Sequence, residues 1–428
     1  MPGSDIHCLS GYWLVPLVLL SAAPELRIFD VQVVEVLQLA RVALVALLVV
    51  RCGFRLPVEG VWVRFGRGYL FFFATSFVLA LAALRLPMFT PPDLSILKGP
   101  LVISVARLLE LLLDVYLMLS VADSLVRDRV LLRKSLDVYV GIAVGSAVLS
   151  IAAYIVLAIS GQYLLFVYAP ADRVRGFFNE GGPYGVYLVS ALLLAGLRVR
   201  LFRPARRWML VPAVAVLLVA LLLSASKAGI LTLIACCLFS TLALSLRRRL
   251  ALAAVLLGLA AAFVFGFQSR FQAYLRDITN FDEAVLDRPD DINLIMGRVV
   301  AVLIIPRMID AHPLTGIGIG NYSLMRNDPD YLQGLPVVAD WDLPGLGLVS
   351  VAAELGIPLA LYLVGLLLKP ALLSYRRKAA AALLAASTFQ PCAALVGVNL
   401  NFFYPWLVTG FVLAVLIEPP VSAHVRQG

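Results

Sequence analysis

Apolar runs recur along almost the whole chain and are separated by short polar connectors. A run of about 20 apolar residues is long enough to cross the hydrocarbon core of a bilayer as a helix. The pattern therefore predicts an all-α, polytopic integral membrane protein with about twelve transmembrane helices. The predicted spans are residues 11–23, 31–50, 69–86, 101–122, 138–160, 183–198, 208–224, 228–246, 250–267, 346–368, 379–397 and 404–418.

One long polar loop, residues 268–345, separates the ninth span from the tenth. Loops longer than about 15 residues are usually functional or disordered, so this loop is the first place to look for chemistry. The predicted organisation has three parts. Residues 1–267 hold the first nine spans, residues 268–345 form the large loop with short helices, and residues 346–428 hold the last three spans and a tail.

Composition supports a membrane protein. Hydrophobic residues make up 62% of the chain, charged residues only 14%, and the mean hydropathy is +0.95. A soluble domain usually carries about 25% charged residues. The first segment lacks a basic start and a small-residue cleavage site, so we expect no removable signal peptide.

The net charge of +9 does not indicate a nucleic-acid partner, because the basic residues are distributed in a regular way. Five alternate connectors hold 20 Lys and Arg residues, and the remaining connectors hold 12. Basic residues concentrate in cytoplasmic loops of membrane proteins. The pattern predicts cytoplasmic termini and places the loop 268–345 on the opposite, outer side of the membrane.

The five cysteines fall in predicted spans or at their cytoplasmic edges, so we expect no disulfide framework. The chain also lacks a phosphate-binding P-loop, which excludes a nucleotide-driven machine of that class.

Two sequence segments on the predicted outer face carry cations. Arg173 and Arg175 precede a glycine-rich turn that contains Asn179 and leads into the sixth span. Helix starts attract anions because their backbone N–H groups point outward. Lys227 lies in the very short connector between spans seven and eight, beside apolar residues on both sides. Such charges often serve a ligand or pathway, but snorkelling or anchoring at the interface would also explain them.

Two further segments lie in or beside the large loop. Apolar residues at 299, 300, 302, 303 and 304 predict a short helix on the membrane surface, with Arg298 at its start and Arg307 near its end. The glycines at 316, 318 and 320 predict a tight turn or close backbone packing before Tyr322. Asp340, Trp341 and Asp342 precede the tenth span, and Glu354 lies inside it. A buried Glu354 needs a partner or a role.

Charged residues also occur within two predicted spans. Arg107, Glu110 and Asp114 share one face of the fourth span, and the second span carries Glu35, Gln38 and Arg41 at steps of three. We expect these groups to neutralise one another between helices; a proton or substrate pathway is the alternative.

The outer-face segments together resemble the O-antigen ligase and Wzy-type polymerase family of bacterial envelope enzymes. The matching elements are Arg175-Gly-Phe-Phe-Asn179, Ser226-Lys-Ala-Gly229, Gly297-Arg298, the block from His312 to Tyr322, and Ala353-Glu-Leu-Gly-Ile-Pro358. The resemblance implies a multi-pass protein of the bacterial inner membrane, with twelve spans, a large periplasmic loop and an active site that faces the periplasm. It also implies transfer of glycans from undecaprenyl pyrophosphate to another glycan hydroxyl, with no metal and no cofactor.

The resemblance implies roles for individual residues. Lys227 stands at one family arginine position and Arg298 at a second. The family ligases also use a histidine before the Ala-Glu segment, and residues 341–348 contain none. This departure favours a polymerase of lipid-linked repeat units over a ligase that transfers finished polymer to lipid A-core. Implied partners are the lipid-linked donor and acceptor, the bilayer, a chain-length regulator and a flippase.

The chemistry of glycosyl transfer extends these roles to other residues. Cations stabilise a departing pyrophosphate. We therefore expect Arg298 and Lys227 to bind the pyrophosphate, assisted by Arg173 or Arg175. A carboxylate would accept the proton of the acceptor hydroxyl, and the candidates are Asp340, Asp342 and Glu354. Aromatic side chains would stack on sugar rings, and the candidates are Phe177, Phe178, Tyr184 and Trp341. Asn179, Arg307 and Tyr322 complete the predicted substrate-binding set.

Two other function classes remain open at this point. A lipid-linked oligosaccharide flippase or other transporter would also have twelve spans and buried charges, although no internal repeat is visible. A glycosyltransferase that uses a polyprenyl-phosphate sugar would need an acidic motif in its first outer loop. That loop, residues 24–30, holds only Glu25 and Asp30.

Overall fold

The fold is described from a computed structural model of the 428-residue chain. The described residues are 11–22, 62–87, 89, 99–169, 172–202, 210–247, 249–254, 257–258, 261, 272, 276–288, 294, 297–335, 337, 345–397 and 400–417. The second predicted span and most of the ninth lie outside these ranges, as do Glu35, Gln38 and Arg41.

The described part of the chain is almost entirely helical. The helices are α1 (Gly11–Ala22), α2 (Arg67–Ala83), α3 (Pro100–Arg127), α4 (Arg129–Ser160), α5 (Gly181–Phe202), α6 (Leu210–Leu223), α7 (Lys227–Thr241), α8 (Phe281–Asp287), α9 (Arg298–Ala311), α10 (Tyr322–Met325), α11 (Pro329–Leu332), α12 (Leu348–Leu355), α13 (Ile357–Arg376), α14 (Ala381–Leu395) and α15 (Phe403–Ile417). A π-helical turn, Trp62–Gly66, precedes α2. An antiparallel ribbon pairs β1 (Val167–Tyr168) with β2 (Arg173–Val174).

Four of the described helical segments are long and apolar enough to cross a membrane, judged by length and composition. They are Arg64–Ala83, Arg129–Ser160, Gly181–Phe202 and Ile357–Arg376. Large apolar side chains such as Phe71, Val148 and Leu361 are exposed on these helices. An outward apolar surface of this kind is expected where helices contact lipid.

Helix α4 begins nine residues before the predicted fifth span, at Arg129. The Asp128 side chain caps it by accepting hydrogen bonds from Val130 N (2.8 Å) and Leu131 N (2.9 Å). The early start is polar, with Arg133 and Lys134 exposed, so hydropathy alone did not detect it. Capping rather than apolar content sets this helix boundary.

The predicted tenth span, residues 346–368, is wrong as a single helix. It consists of α12 and α13, which are separated at Gly356 with a φ of +76°. Ile357 N donates to Pro313 O (2.8 Å), and Ile317 N donates to Ala353 O (3.0 Å). The helix breaks because a neighbouring segment takes over these backbone hydrogen bonds.

The buried apolar side chains form two separate clusters. The larger one joins α1–α7 with α13–α15. The smaller one, which we call the loop core, is built around α9 and includes Phe281, Leu294, Tyr322 and Ala353. Helix α9 contributes Val299, Val300, Ala301, Ile304, Ile305 and Met308 to the loop core. Its apolar face is thus covered by protein, whereas the sequence had predicted contact with the membrane surface.

Candidate functional site

Lys227 is the first residue of α7 and its side chain is exposed. The preceding residue, Ser226, caps the helix because its Oγ accepts a hydrogen bond from Gly229 N (2.9 Å). The same hydroxyl donates to Gly182 O (2.7 Å) at the start of α5. These two hydrogen bonds fix the turn that carries Lys227 against the first turn of α5. A cation at a helix start is unfavourable in itself, so an anion bound there would be stabilising.

Arg173 lies in β2, on the ribbon that precedes α5. Its guanidinium lies over the Tyr168 ring at 5.2 Å, and its Nη2 is 3.5 Å from Glu180 Oε2. A Cβ added to Gly181 would lie 2.6 Å from Ser224 O and 3.1 Å from Arg173 Cδ. The stem of Arg173 and the turn before Lys227 therefore meet at the same glycine. The structure brings these two predicted cations to one end of α5.

Arg175 supports the ribbon and the turn that follows it. Its Nε donates to Leu165 O (2.9 Å), and its Nη1 donates to Asn179 O (3.4 Å). Gly176 next to it has a φ of +56°, and an added Cβ there would collide with the Tyr184 ring. Arg175 and Asn179 thus shape the loop, and both side chains remain partly exposed.

The aromatic side chains of this region are mostly structural. Phe178 and Tyr184 are at most 2% exposed and pack in the helix core. Phe177 packs edge-on against Phe166, with ring centroids 5.0 Å apart. The prediction that Phe178 and Tyr184 stack on sugars is therefore wrong, because no face of either ring is accessible.

Hydrogen bonds connect the start of α5 to α3 through the start of α15. Tyr404 Oη donates to Pro183 O (3.3 Å), and Asn401 Nδ2 donates to Glu110 Oε2 (2.6 Å). Arg107 Nη1 also contacts Glu110 Oε2 (3.1 Å). The predicted neutralisation is thus confirmed for Arg107 and Glu110, although these two residues pair within α3 rather than between helices.

Residues 316–322, which we call the glycine segment, lie between α3 and α12. Ser104 Oγ donates to Ile319 O (2.7 Å), and a Cβ on Gly320 would lie 2.8 Å from Arg107 Cγ. Glycines 316, 318 and 320 all have positive φ, from +64° to +90°. The prediction of close backbone packing is therefore confirmed.

Glu354 is at the end of α12, directly against the glycine segment. Its Oε1 accepts a hydrogen bond from Tyr322 N (3.3 Å). Burial raises the pKa of the Glu354 carboxyl, while hydrogen bonds from the N–H groups of Gly320 and Tyr322 and the charge of Arg107 lower it. The predicted position two turns inside a continuous helix is wrong, because the helix ends one residue later at Leu355.

Tyr322 and Arg307 belong to the loop core. Tyr322 is 3% exposed, and burial raises its pKa to about 12. Arg307 Nη1 donates to the carbonyls of Tyr331 (2.7 Å) and Leu332 (3.1 Å), which tie α9 to the end of α11. The buried Tyr322 side chain does not present the polar surface that a substrate contact requires, whereas Arg307 is only partly buried.

Sequence reasoning missed Arg326, which follows α10. Its side chain is 1% exposed, it interacts with the Tyr322 hydroxyl, and burial lowers the pKa of its guanidinium. The sequence around Arg326 has no motif that distinguishes it from a surface arginine. Only the packing of the loop core identifies it.

The structure describes only some atoms of the remaining predicted site residues. Arg298 begins α9, and its side chain lies outside the described residues. With a rise of 1.5 Å per residue, the 14-residue helix α9 is about 20 Å long, and Arg298 lies at the end that is farther along the chain from the glycine segment. Asp340, Trp341 and Asp342 also lie outside the described residues. Within the described ranges, no group of three His, Cys, Asp or Glu residues could hold a metal ion.

Comparison with known proteins gives one match. Residues 212–364 match the family model described as O-antigen ligase. Neither the curated proteins nor the solved structures contain a match to this chain. The matched segment runs from α6 into α13 and contains Lys227, Arg298, the glycine segment and Glu354. The match confirms, for residues 212–364, the resemblance to the O-antigen ligase family that the sequence motifs had indicated.

Proposed function

We propose that this chain polymerises oligosaccharide repeat units linked to undecaprenyl pyrophosphate, at the periplasmic face of a bacterial inner membrane. The observation that carries the proposal is the position of Lys227. It lies inside the family-matched segment, exposed at the start of α7, on a turn held against Arg173 and the start of α5. Two helix starts and two cations at one place favour a diphosphate.

The reaction is a substitution at the anomeric carbon of the donor sugar. The acceptor hydroxyl oxygen forms a bond to C1, and the bond from C1 to the pyrophosphate oxygen breaks. The electron pair of that bond leaves with the diphosphate, and the hydroxyl proton passes to a base. Charge therefore accumulates on the diphosphate, and fixed cations there lower the barrier.

Lys227 and Arg298 are assigned to the diphosphate, with Arg173 as the nearest described assistant to Lys227. Arginine binds phosphate oxygens through a planar fork, and lysine acts as a point charge. For the base we retain Asp340 and Asp342, since Glu354 already accepts a backbone hydrogen bond from Tyr322. Trp341 is the remaining candidate for a stacking contact with a sugar.

A ligase is the second candidate, and the description of the matched family favours it. Against it, residues 341–348 contain no histidine at the position where the ligases use one. The two reactions differ in acceptor: a polymerase extends a lipid-linked chain, and a ligase transfers the finished chain to lipid A-core.

A deletion strain distinguishes these functions on a gel of envelope glycans. Loss of a polymerase leaves lipid A-core capped with one repeat unit. Loss of a ligase leaves long polymer on its lipid carrier. Unchanged glycans would contradict both functions for this polymer and would favour the transporter class or an enzyme that acts on another polymer.

A further inference from the structure

The Glu354 side chain binds backbone N–H groups rather than facing an open site. Its carboxylate accepts the N–H of Tyr322 (3.3 Å) and also the N–H of Gly320. Both donors belong to the glycine segment. A backbone N–H that is buried without an acceptor is destabilising, so these two groups need the carboxylate.

The main chain on either side of Glu354 binds the same segment. Ala353 O accepts from Ile317 N (3.0 Å), and Glu354 O accepts from Gly318 N (2.9 Å). The close approach leaves no space for side chains, because a Cβ on Gly316 would collide with Glu354 O. Donors at 317, 318, 320 and 322 therefore all point to the last turn of α12. This turn is a helix end whose free carbonyls gain partners.

The glycine segment joins the two cores of the protein. It follows α9 directly and leads into α10, both of which belong to the loop core. On its other side it touches α3 through Ser104 and Arg107. Arg107 is also the cation that acts on the Glu354 carboxylate. The position of α9 relative to the helix bundle thus depends on contacts at this segment.

We infer that Glu354 is a positioning residue that clamps the glycine segment and so holds α9, with Arg298 at its far end, in register with Lys227 on the bundle. This inference rests on the proposed function and deepens it, because it assigns Glu354 a task other than proton transfer. A base at this position would weaken these backbone hydrogen bonds on accepting a proton, because a protonated carboxyl has less acceptor capacity than a carboxylate.

Three substitutions separate clamping from proton transfer. Glu354→Gln keeps an acceptor oxygen at the same reach but has no basicity. Glu354→Asp keeps the charge and basicity but is one methylene shorter. Glu354→Ala removes the acceptor. Asp310→Asn, an exposed carboxylate on α9, is the matched control.

Two measurements are made on the full chain. Hydrogen exchange of the purified protein in detergent reports on the amides of residues 317–322. Polymer formation by each variant in the deletion strain, and its pH profile in membranes, reports on the reaction. We expect Glu354→Gln to exchange within about twofold of wild type and to retain activity with an unchanged pH profile. Glu354→Ala and Glu354→Asp should exchange roughly tenfold faster, as expected for loss of one net hydrogen bond of about 1.4 kcal/mol.

The same two variants should lose polymer formation at least tenfold, and Asp310→Asn should match wild type. An inactive Glu354→Gln with normal exchange would overturn the inference, because basicity would then be required. Wild-type exchange in Glu354→Ala would overturn it as well. If deleting the gene leaves glycans unchanged, the proposed function fails, and the exchange data alone then support or overturn the clamp.

Discussion

Lys227 combines exposure, charge and a helix start at the end of α5 where Arg173 also lies. A cation that stabilises a leaving diphosphate contributes mainly in the transition state. Losing one such contact in other enzymes lowers the rate about 10²- to 10³-fold. The helix cap at this position is provided by Ser226 and not by Lys227.

We therefore expect Lys227→Ala to reduce polymer extension at least about 100-fold while the protein is still produced and folded. Lys227→Arg should retain part of the activity, because the charge remains. Lys134→Ala, an exposed lysine near the start of α4, is the control. Measurement is by polymer length on a glycan gel at matched expression. Wild-type length in Lys227→Ala would reject its role.

The raised pKa of Tyr322 predicts that the protein loses stability at alkaline pH. Its folded pKa of about 12 lies above the ordinary value near 10, so folding favours the protonated hydroxyl. The contribution to stability is fully present below about pH 10 and is lost as the pH rises towards 12. Tyr322→Phe removes this titration.

Thermal unfolding in detergent at pH 8.5 and pH 11 tests this. Wild type should lose about 1.4 kcal/mol relative to Tyr322→Phe over this interval, since one pKa unit is worth that amount. If the stability difference between the two proteins does not change with pH, burial does not raise the pKa of Tyr322.

At the scale of elements, the contact between α5 and the turn before α7 depends on Gly185. A Cβ there would collide with the Ser226 side chain. Gly196, in the same helix, has nothing within 4 Å of an added Cβ. The two glycines therefore provide a matched pair for the packing of α5 against α7.

Gly185→Ala should destabilise the protein by about 1–3 kcal/mol and reduce activity, because overpacking displaces the Lys227 turn. Gly196→Ala should leave activity unchanged and raise stability by about 0.5–1 kcal/mol, as alanine favours helix. The measurements are thermal unfolding and the glycan gel. Equal effects of the two substitutions would argue against the close contact.

At the scale of the whole molecule, the predicted topology puts the loop core outside the cytoplasm. A cysteine-free variant with Asp310→Cys should react with a membrane-impermeant thiol reagent in intact spheroplasts. The same background with Lys134→Cys should react only after the membrane is permeabilised. Both positions are exposed, so burial does not explain a difference. The reverse labelling pattern would invalidate the periplasmic site.

Much of the helical layout was predictable, because long apolar runs specify helices whatever surrounds them. Described helices occupy the predicted spans one, three to eight, eleven and twelve, with shifted ends. The break at Gly356 was not predictable, because the backbone partners that cause it, Pro313 and Ile317, are about 40 residues away in sequence.

The residues of the candidate site also fall into two groups: those that the sequence could identify and those that only the structure identifies. Sequence identified Lys227 and Arg173 as unusual cations, since a charge beside apolar runs stands out locally. It also predicted Tyr322 as a ligand contact and overlooked Arg326. Burial decides those cases, and burial arises from side chains of several distant elements in the loop core.

Local composition by itself determined that this chain is a helical membrane protein with cations at one set of connectors. Hydropathy and charge act over single segments, so they can be read without any contact information. Only the tertiary structure decided that Glu354 faces backbone, that Phe178 and Tyr184 are core, and that the turn before Lys227 meets the stem of Arg173 at Gly181. Those facts depend on which segments meet in space, and that is set by packing and by hydrogen bonds between distant residues.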